Sequence, residues 1–141
     1  MLPNLPQTMI AFWGVVKCGA VAVMVNPLYM ERELLQNLND AGAECLVLLD
    51  MLWPRVAPLR DRLPIKTYVV TGIADALSFP LNLIYRFTKG RQKAVPIPYD
   101  DKVIAWKDFS RGAQPLSEPI ADPQNTPALL QYTGGTTGIP K

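Results

Sequence analysis

Three short, valine-rich apolar runs separated by helix-like segments are what most constrain the fold of this 141-residue chain. The first, AVAVMVNP, extends from Ala20 to Pro27 and stops at the turn-forming pair Asn26-Pro27; the second covers Glu44 to Leu49 and the third Lys66 to Thr71. Apolar runs without polar alternation suit strands covered on both faces, the environment of a parallel sheet. Strands alternating with helices imply βαβ units, and right-handed crossovers would place all three strands in one sheet.

The intervening segments have helical periodicity. From Gln7 to Cys18, Met9, Ile10, Trp13 and Val16 recur at helical spacing, with Lys17 and Gly19 following, which predicts a buried amphipathic helix ended by glycine. From Glu31 to Asp40, Leu34, Leu35 and Leu38 form one apolar stripe, and Ala41-Gly42 supplies the stop. Asp50 is placed to cap a short helix running towards Arg62, which Pro54 and Pro58 break or kink. The expected fold class is α/β, with βαβ units on a mostly parallel sheet.

Order weakens after Gly72, and residues 73–126 read as an irregular surface excursion within the domain. Phe79, Leu81, Leu83, Ile84, Tyr85 and Phe87 are followed by the basic residues Arg86, Lys89, Arg91 and Lys93. An apolar patch beside a basic cluster, here 79–93, suits a membrane surface. The favoured expectation is that these residues pack on the rest of the domain, because Pro80 and Gly90 limit helix length. The proline-rich stretch from Val95 to Thr126, with the strand-like Val103 to Trp106, reads as a long connection delivering the chain to a last strand, Ala128 to Tyr132. Neither an internal repeat nor a flexible interdomain linker is evident.

Composition narrows the function. The 14 basic and 12 acidic residues give a formal charge of +2 and are scattered, which argues against a nucleic-acid surface. The chain has no histidine, so no Ser-His or Cys-His pair exists within it and zinc lacks its commonest nitrogen ligand. Cys18 and Cys45 lack the spacing of a redox or metal motif and are expected to be buried, reduced thiols of a cytoplasmic protein. The first ten residues, MLPNLPQTMI, lack the basic leader and cleavage site of a secretory signal, and no apolar run reaches the roughly 18 to 20 residues of a membrane-spanning helix.

Chemistry concentrates at the end of the sequence. The segment TGGTTGIPK places three glycines, three threonines and a lysine within nine residues. Gly134, Gly135 and Gly138 free the backbone to turn its N–H groups towards an anion. Thr133, Thr136 and Thr137 add hydroxyls suited to phosphate or magnesium, and Lys141 adds a positive charge. The spacing is not that of a Walker loop, since Ile139 stands where the second glycine is required, nor that of a dinucleotide fingerprint. Composition alone leaves an ordinary glycine-threonine turn as the alternative.

Tyr132 to Lys141, YTGGTTGIPK, closely resembles the Tyr-Thr-Ser-Gly-Thr-Thr-Gly-x-Pro-Lys signature of the adenylate-forming superfamily, departing only in Gly134 for the common serine. That glycine, and the stretch NPLYMERELLQNLNDAGAECLVLLD from Asn26 to Asp50, resemble bacterial long-chain fatty acyl-CoA ligases. Met1 to Asn4 resembles the end of an early strand of the same family. The resemblance implies part of the large N-terminal, AMP-binding domain, with residues 1–141 truncated at both ends. It also implies the family's reaction: a carboxylate attacks the α-phosphate of ATP, pyrophosphate leaves, and the acyl group passes from the adenylate to coenzyme A, with magnesium accompanying ATP. By resemblance, Thr133, Gly134, Gly135, Thr136, Thr137, Gly138 and Lys141 would hold the β- and γ-phosphates, Thr133 would face the magnesium ion, and Tyr132 would orient the loop.

The family's adenine-binding segment, ribose-binding aspartate, hinge and C-terminal lysine normally follow this loop, so the 141-residue chain alone is expected to be inactive. The partners implied are fatty acid, ATP and coenzyme A, in a cytoplasmic protein; the membrane-surface alternative at 79–93 would place it peripherally at the inner face of the membrane. Two alternatives stand beside this reading: another adenylate-forming enzyme, aryl-CoA ligase or luciferase-like, and a non-catalytic module that binds nucleotide or a partner.

Overall fold

The computed structural model describes residues 1–85, 87–88, 95–111, 114, 122 and 124–132. Elements follow in the order α1 (Pro6–Lys17), β1 (Ala22–Met24), α2 (Glu31–Asp40) and β2 (Cys45–Leu49). A 3-10 turn (Asp50–Leu52), α3 (Trp53–Val56) and a second 3-10 stretch (Ala57–Arg62) lead to β3 (Thr67–Thr71). Beyond it lie a 3-10 turn (Ile73–Ala76), α4 (Leu81–Tyr85), β4 (Val103–Ala105), α5 (Trp106–Ser110) and β5 (Leu129–Gln131). Among the described residues all pairing is parallel, in one sheet of order β2-β3-β4 and a second formed by β1 and β5.

Two corrections to the sequence reading follow. The first three strands do not share one sheet among the described residues, because β1 pairs with β5 rather than with β2. The proline-rich stretch read as a surface connection contains β4, whose Val103, Ile104 and Ala105 lie opposite Tyr68, Val69 and Val70. The strand-like character of Val103 to Trp106 was legible, but only the pairing with the β3 edge makes Val103 to Ala105 part of a sheet.

The core forms where one face of this sheet meets α2 and the broken helix after β2. Leu46 and Leu48 of β2 stand in register with Tyr68 and Val70 of β3, and Val103 completes the row. Onto them pack Leu34 and Leu38 of α2, together with Trp53, Val56 and Leu59. Trp53 meets Tyr68 edge-on at 5.8 Å between ring centroids, and the Arg60 guanidinium lies 5.7 and 5.6 Å from the two ring centres. On the opposite face Leu49, Val69 and Thr71 are buried as well, as a parallel strand requires.

Helix ends follow the glycines. In α2, Gly42 has φ +58°; its N–H donates to the Asn39 carbonyl and that of Ala43 to the Leu38 carbonyl, the paired bonds of a Schellman stop. Gly19, at φ +73°, ends α1 in the same way through Val16 and Val15.

The orientation of α1 differs from expectation. Met9, Ile10 and Trp13, read as its buried stripe, are 59%, 60% and 54% exposed, whereas Gln7 is buried. The amide of Gln7 donates to the Thr71 hydroxyl (3.2 Å) and the Gly72 carbonyl (3.1 Å), a pairing that turns the helix's other side to the sheet. Both thiols are free and exposed, against the expectation of burial: Cys18 caps the solvent-facing end of α1 and Cys45 begins β2. Phe79, Leu81, Leu83, Ile84 and Phe87 are likewise exposed rather than packed on the domain.

The same substitution at two glycines should act with opposite signs. Gly42→Ala forces a Cβ into left-handed backbone and should cost about 1 kcal/mol. Gly14→Ala, inside α1 with no atom within 4 Å of the added carbon, should stabilise by up to about 1 kcal/mol. Urea unfolding midpoints of the two variants check both signs.

Candidate functional site

The glycine- and threonine-rich segment follows β5, and β5 has a defined neighbour. Ala22, Val23 and Met24 of β1 lie opposite Leu129, Leu130 and Gln131, and the Ala22 N–H donates to the Ala128 carbonyl at 3.1 Å. Because the pair is parallel, both strands deliver their carboxyl ends to the same edge, β1 into Asn26-Pro27 and β5 into Tyr132. Ligands of open parallel sheets bind outside that edge.

The turn leaving β1 is held from several directions. The Asn26 side-chain oxygen accepts the Leu28 N–H at 2.9 Å, and its carbonyl accepts the Tyr29 N–H at 3.1 Å, a side-chain-closed turn. The Arg55 guanidinium of α3 donates to the carbonyls of Pro27 (2.9 Å) and Tyr29 (3.3 Å), satisfying oxygens that the turn leaves unpaired. The Glu33 carboxylate reaches back to the Met30 N–H at 3.0 Å, one half of a capping box at the start of α2.

Tyr132 is fixed by a partner far away in sequence. Its hydroxyl donates to the Asp40 carboxylate, the last residue of α2, at 2.5 Å. Asp40 stands at the helix end that already carries partial negative charge, so a donor there relieves an unfavourable placement. The bond to Asp40, helped by desolvation and by the carboxylate's charge, pushes the phenol up to about 12. A raised value means that the bond's contribution is complete below the ordinary tyrosine value of about 10 and is lost as pH rises through about 12.

A second polar group lies at the carboxyl ends of β2 and β3. The Asp75 carboxylate accepts the Gly72 N–H at 2.9 Å and the Thr71 hydroxyl at 3.3 Å. It also lies 3.6 Å from the Lys107 ammonium. Asp50 approaches Gly72 so closely that a Cβ there would stand 2.9 Å from its Oδ2. Burial first, and the nearby Asp75 charge as well, push the Asp50 carboxyl above its ordinary range, against a bond from the Met51 N–H that lowers it. With Gln7 on Thr71, this group ties α1 to the end of β3.

Of the residues singled out in the sequence, Tyr132 directly follows β5. Thr133, Gly134, Gly135, Thr136, Thr137, Gly138 and Lys141 lie outside the described residues. Sequence reading missed Asp40, Arg55 and Gln7. Only Asn26-Pro27 gave a signal, that of a turn; nothing in the sequence announces that a guanidinium 28 positions on will close it.

Fold and strand-end geometry together define a parallel α/β protein of the kind that carries its binding loops at the carboxyl ends of its strands. The sequence profile of the AMP-binding enzyme family matches residues 1–141, and the chain belongs to that family. It is 39% identical over its whole length to a long-chain-fatty-acid–CoA ligase of Bacillus subtilis, covering 26% of that protein. Ligases of the same name from Yersinia pestis and Haemophilus influenzae are 34% and 32% identical, again along the entire chain and 25% of each relative. The chain thus spans about a quarter of the length of the curated relatives it matches.

Replacing Asp40 with Asn removes the charged acceptor, and the Tyr132 phenol should then titrate close to its ordinary value of about 10 instead of about 12. Ultraviolet titration of tyrosinate, taken as the difference between each protein and its Tyr132→Phe counterpart, measures the shift.

Proposed function

We propose that this chain is the phosphate-binding portion of an ATP-dependent fatty acid–CoA ligase, which joins a fatty acid to the α-phosphate of ATP and transfers the acyl group to coenzyme A. The observation that carries the reading is positional. The segment from Thr133 to Lys141, matching the adenylate-forming signature in all but one residue, follows directly from β5 at the carboxyl edge it shares with β1. Membership of the AMP-binding family and the names of the relatives support the same chemistry.

In this reading Thr133, Gly134, Gly135, Thr136, Thr137, Gly138 and Lys141 cradle the β- and γ-phosphates, and the Thr133 hydroxyl faces the magnesium ion. Their work is electrostatic: preorganised N–H donors, hydroxyls and one cation stabilise charge that grows on the departing pyrophosphate. Tyr132, held on Asp40, fixes where the loop begins. The carboxylate and coenzyme A would be recognised elsewhere in a protein of the relatives' length.

Thr133→Ala should weaken binding of magnesium-ATP by roughly ten- to a hundredfold, the equivalent of about 1.5–3 kcal/mol for one hydrogen bond to a charged group. It should leave the urea midpoint unchanged. Calorimetric titration with ATP, with and without magnesium, reads the first effect. Equal affinity of the variant and the parent chain would count against the assignment.

A peripheral membrane contact is a second element of the proposal, favoured by the exposure of Phe79 (80%), Leu81 (55%), Ile84 (54%) and Phe87 (70%). No helix among the described residues is long and apolar enough to cross a membrane, so contact would be superficial. Co-sedimentation with vesicles should rise with anionic lipid content and fall in a Phe79→Ser, Phe87→Ser double variant.

A further inference from the structure

Strand β5 is short and poorly covered. All three of its residues are exposed, so among the described residues no packed face fixes where its carboxyl end lies. The ladder to β1 holds it by one edge. One residue further on, the Tyr132 hydroxyl donates to the Asp40 carboxylate, which ties the end of β5 to α2 by a side-chain bond.

The helix at the other end of this tie is firmly set. Leu34 and Leu38 seat α2 in the core. Asn39, next to Asp40, donates from its side-chain amide to the Leu35 carbonyl (2.8 Å) within the helix and to the Arg62 carbonyl (3.2 Å) outside it. The stop at Gly42 follows at once. Asp40 nevertheless stands there at a cost to its own helix. It is the last residue of α2, where the backbone carbonyls already carry partial negative charge, and the last turn holds no basic residue.

We infer that Asp40 is a positioning residue: through the Tyr132 hydroxyl it fixes the point at which the segment Thr133–Lys141 leaves β5, and so strengthens binding of the triphosphate of ATP. The inference rests on the phosphate-binding reading of that segment. It gives Asp40 the opposite effect to the one its charge alone would have. A bystander carboxylate repels a triphosphate, so its removal would tighten binding. Removal of an anchor loosens it. Stability moves little in either case, because the lost bond and the relieved helix end oppose one another.

The test is calorimetric titration of the 141-residue chain with magnesium-ATP, run beside urea unfolding. Tyr132→Phe and Asp40→Ala should each weaken affinity by about fivefold or more, with urea midpoints close to that of the parent chain. Asp40→Asn, which keeps an acceptor oxygen, should recover part of the loss. The double variant Asp40→Ala, Tyr132→Phe should bind no more weakly than either single one, since all three lack the same bond. Parental affinity in Tyr132→Phe and Asp40→Ala, alongside weakened binding in Thr133→Ala, overturns the role of Asp40 and leaves the phosphate reading standing. Parental affinity in Thr133→Ala, or no binding by the parent chain, removes the phosphate reading and the role of Asp40 with it. Tighter binding by Asp40→Ala makes the carboxylate a bystander charge. Losses that multiply in the double variant, or that follow a matching fall in the urea midpoint, overturn the inference as well.

Discussion

The structure depends on the parallel ladder of β2, β3 and β4, because a parallel strand must be covered on both faces, and α2, the broken helix after β2 and part of α1 are arranged to supply that cover. One face is met by Leu34 and Leu38 of α2 and by Trp53, Val56 and Leu59. The other is met in part by α1, whose buried residue is polar. Gln7 lands on Thr71 and Gly72 at the carboxyl end of β3, and its hydrogen bonds decide which way α1 faces. An amide with its donor satisfied is tolerated there, although its own carbonyl oxygen has no partner among the described residues.

That orientation has consequences for the surface. With Gln7 turned inward, Met9, Ile10 and Trp13 form an outward stripe on α1, and the segment after β3 adds Phe79, Leu81, Ile84 and Phe87. Contiguous exposed apolar residues on a small protein mark surfaces that other molecules or other parts of a polypeptide cover.

The candidate site was legible to different depths. The Gly-Thr-Lys segment stood out in the sequence because residue types suited to a phosphate cradle fall there within a few positions of one another. Its resemblance to the adenylate-forming signature agrees with the family that the chain belongs to. The partner of Tyr132 was not readable: Asp40 lies 92 positions away and looks in the sequence like an unremarkable helix end. Arg55 was hidden for the same reason, since the carbonyls of Pro27 and Tyr29 that it ties together carry no side-chain signature.

The sequence by itself determined the local elements: α2 at Glu31–Asp40, glycine stops after both long helices, and the strand cores of β1, β2, β3 and β5. These follow from φ preferences, periodicity and apolar runs, which act over a few residues. Tertiary structure alone decided that β1 pairs with β5, that β4 joins the sheet from within a proline-rich stretch, and that α1 shows its apolar stripe to solvent. Each of those outcomes is a choice among partners distant in the chain, settled by which edges and faces remain to be covered, and no local pattern of residues encodes it.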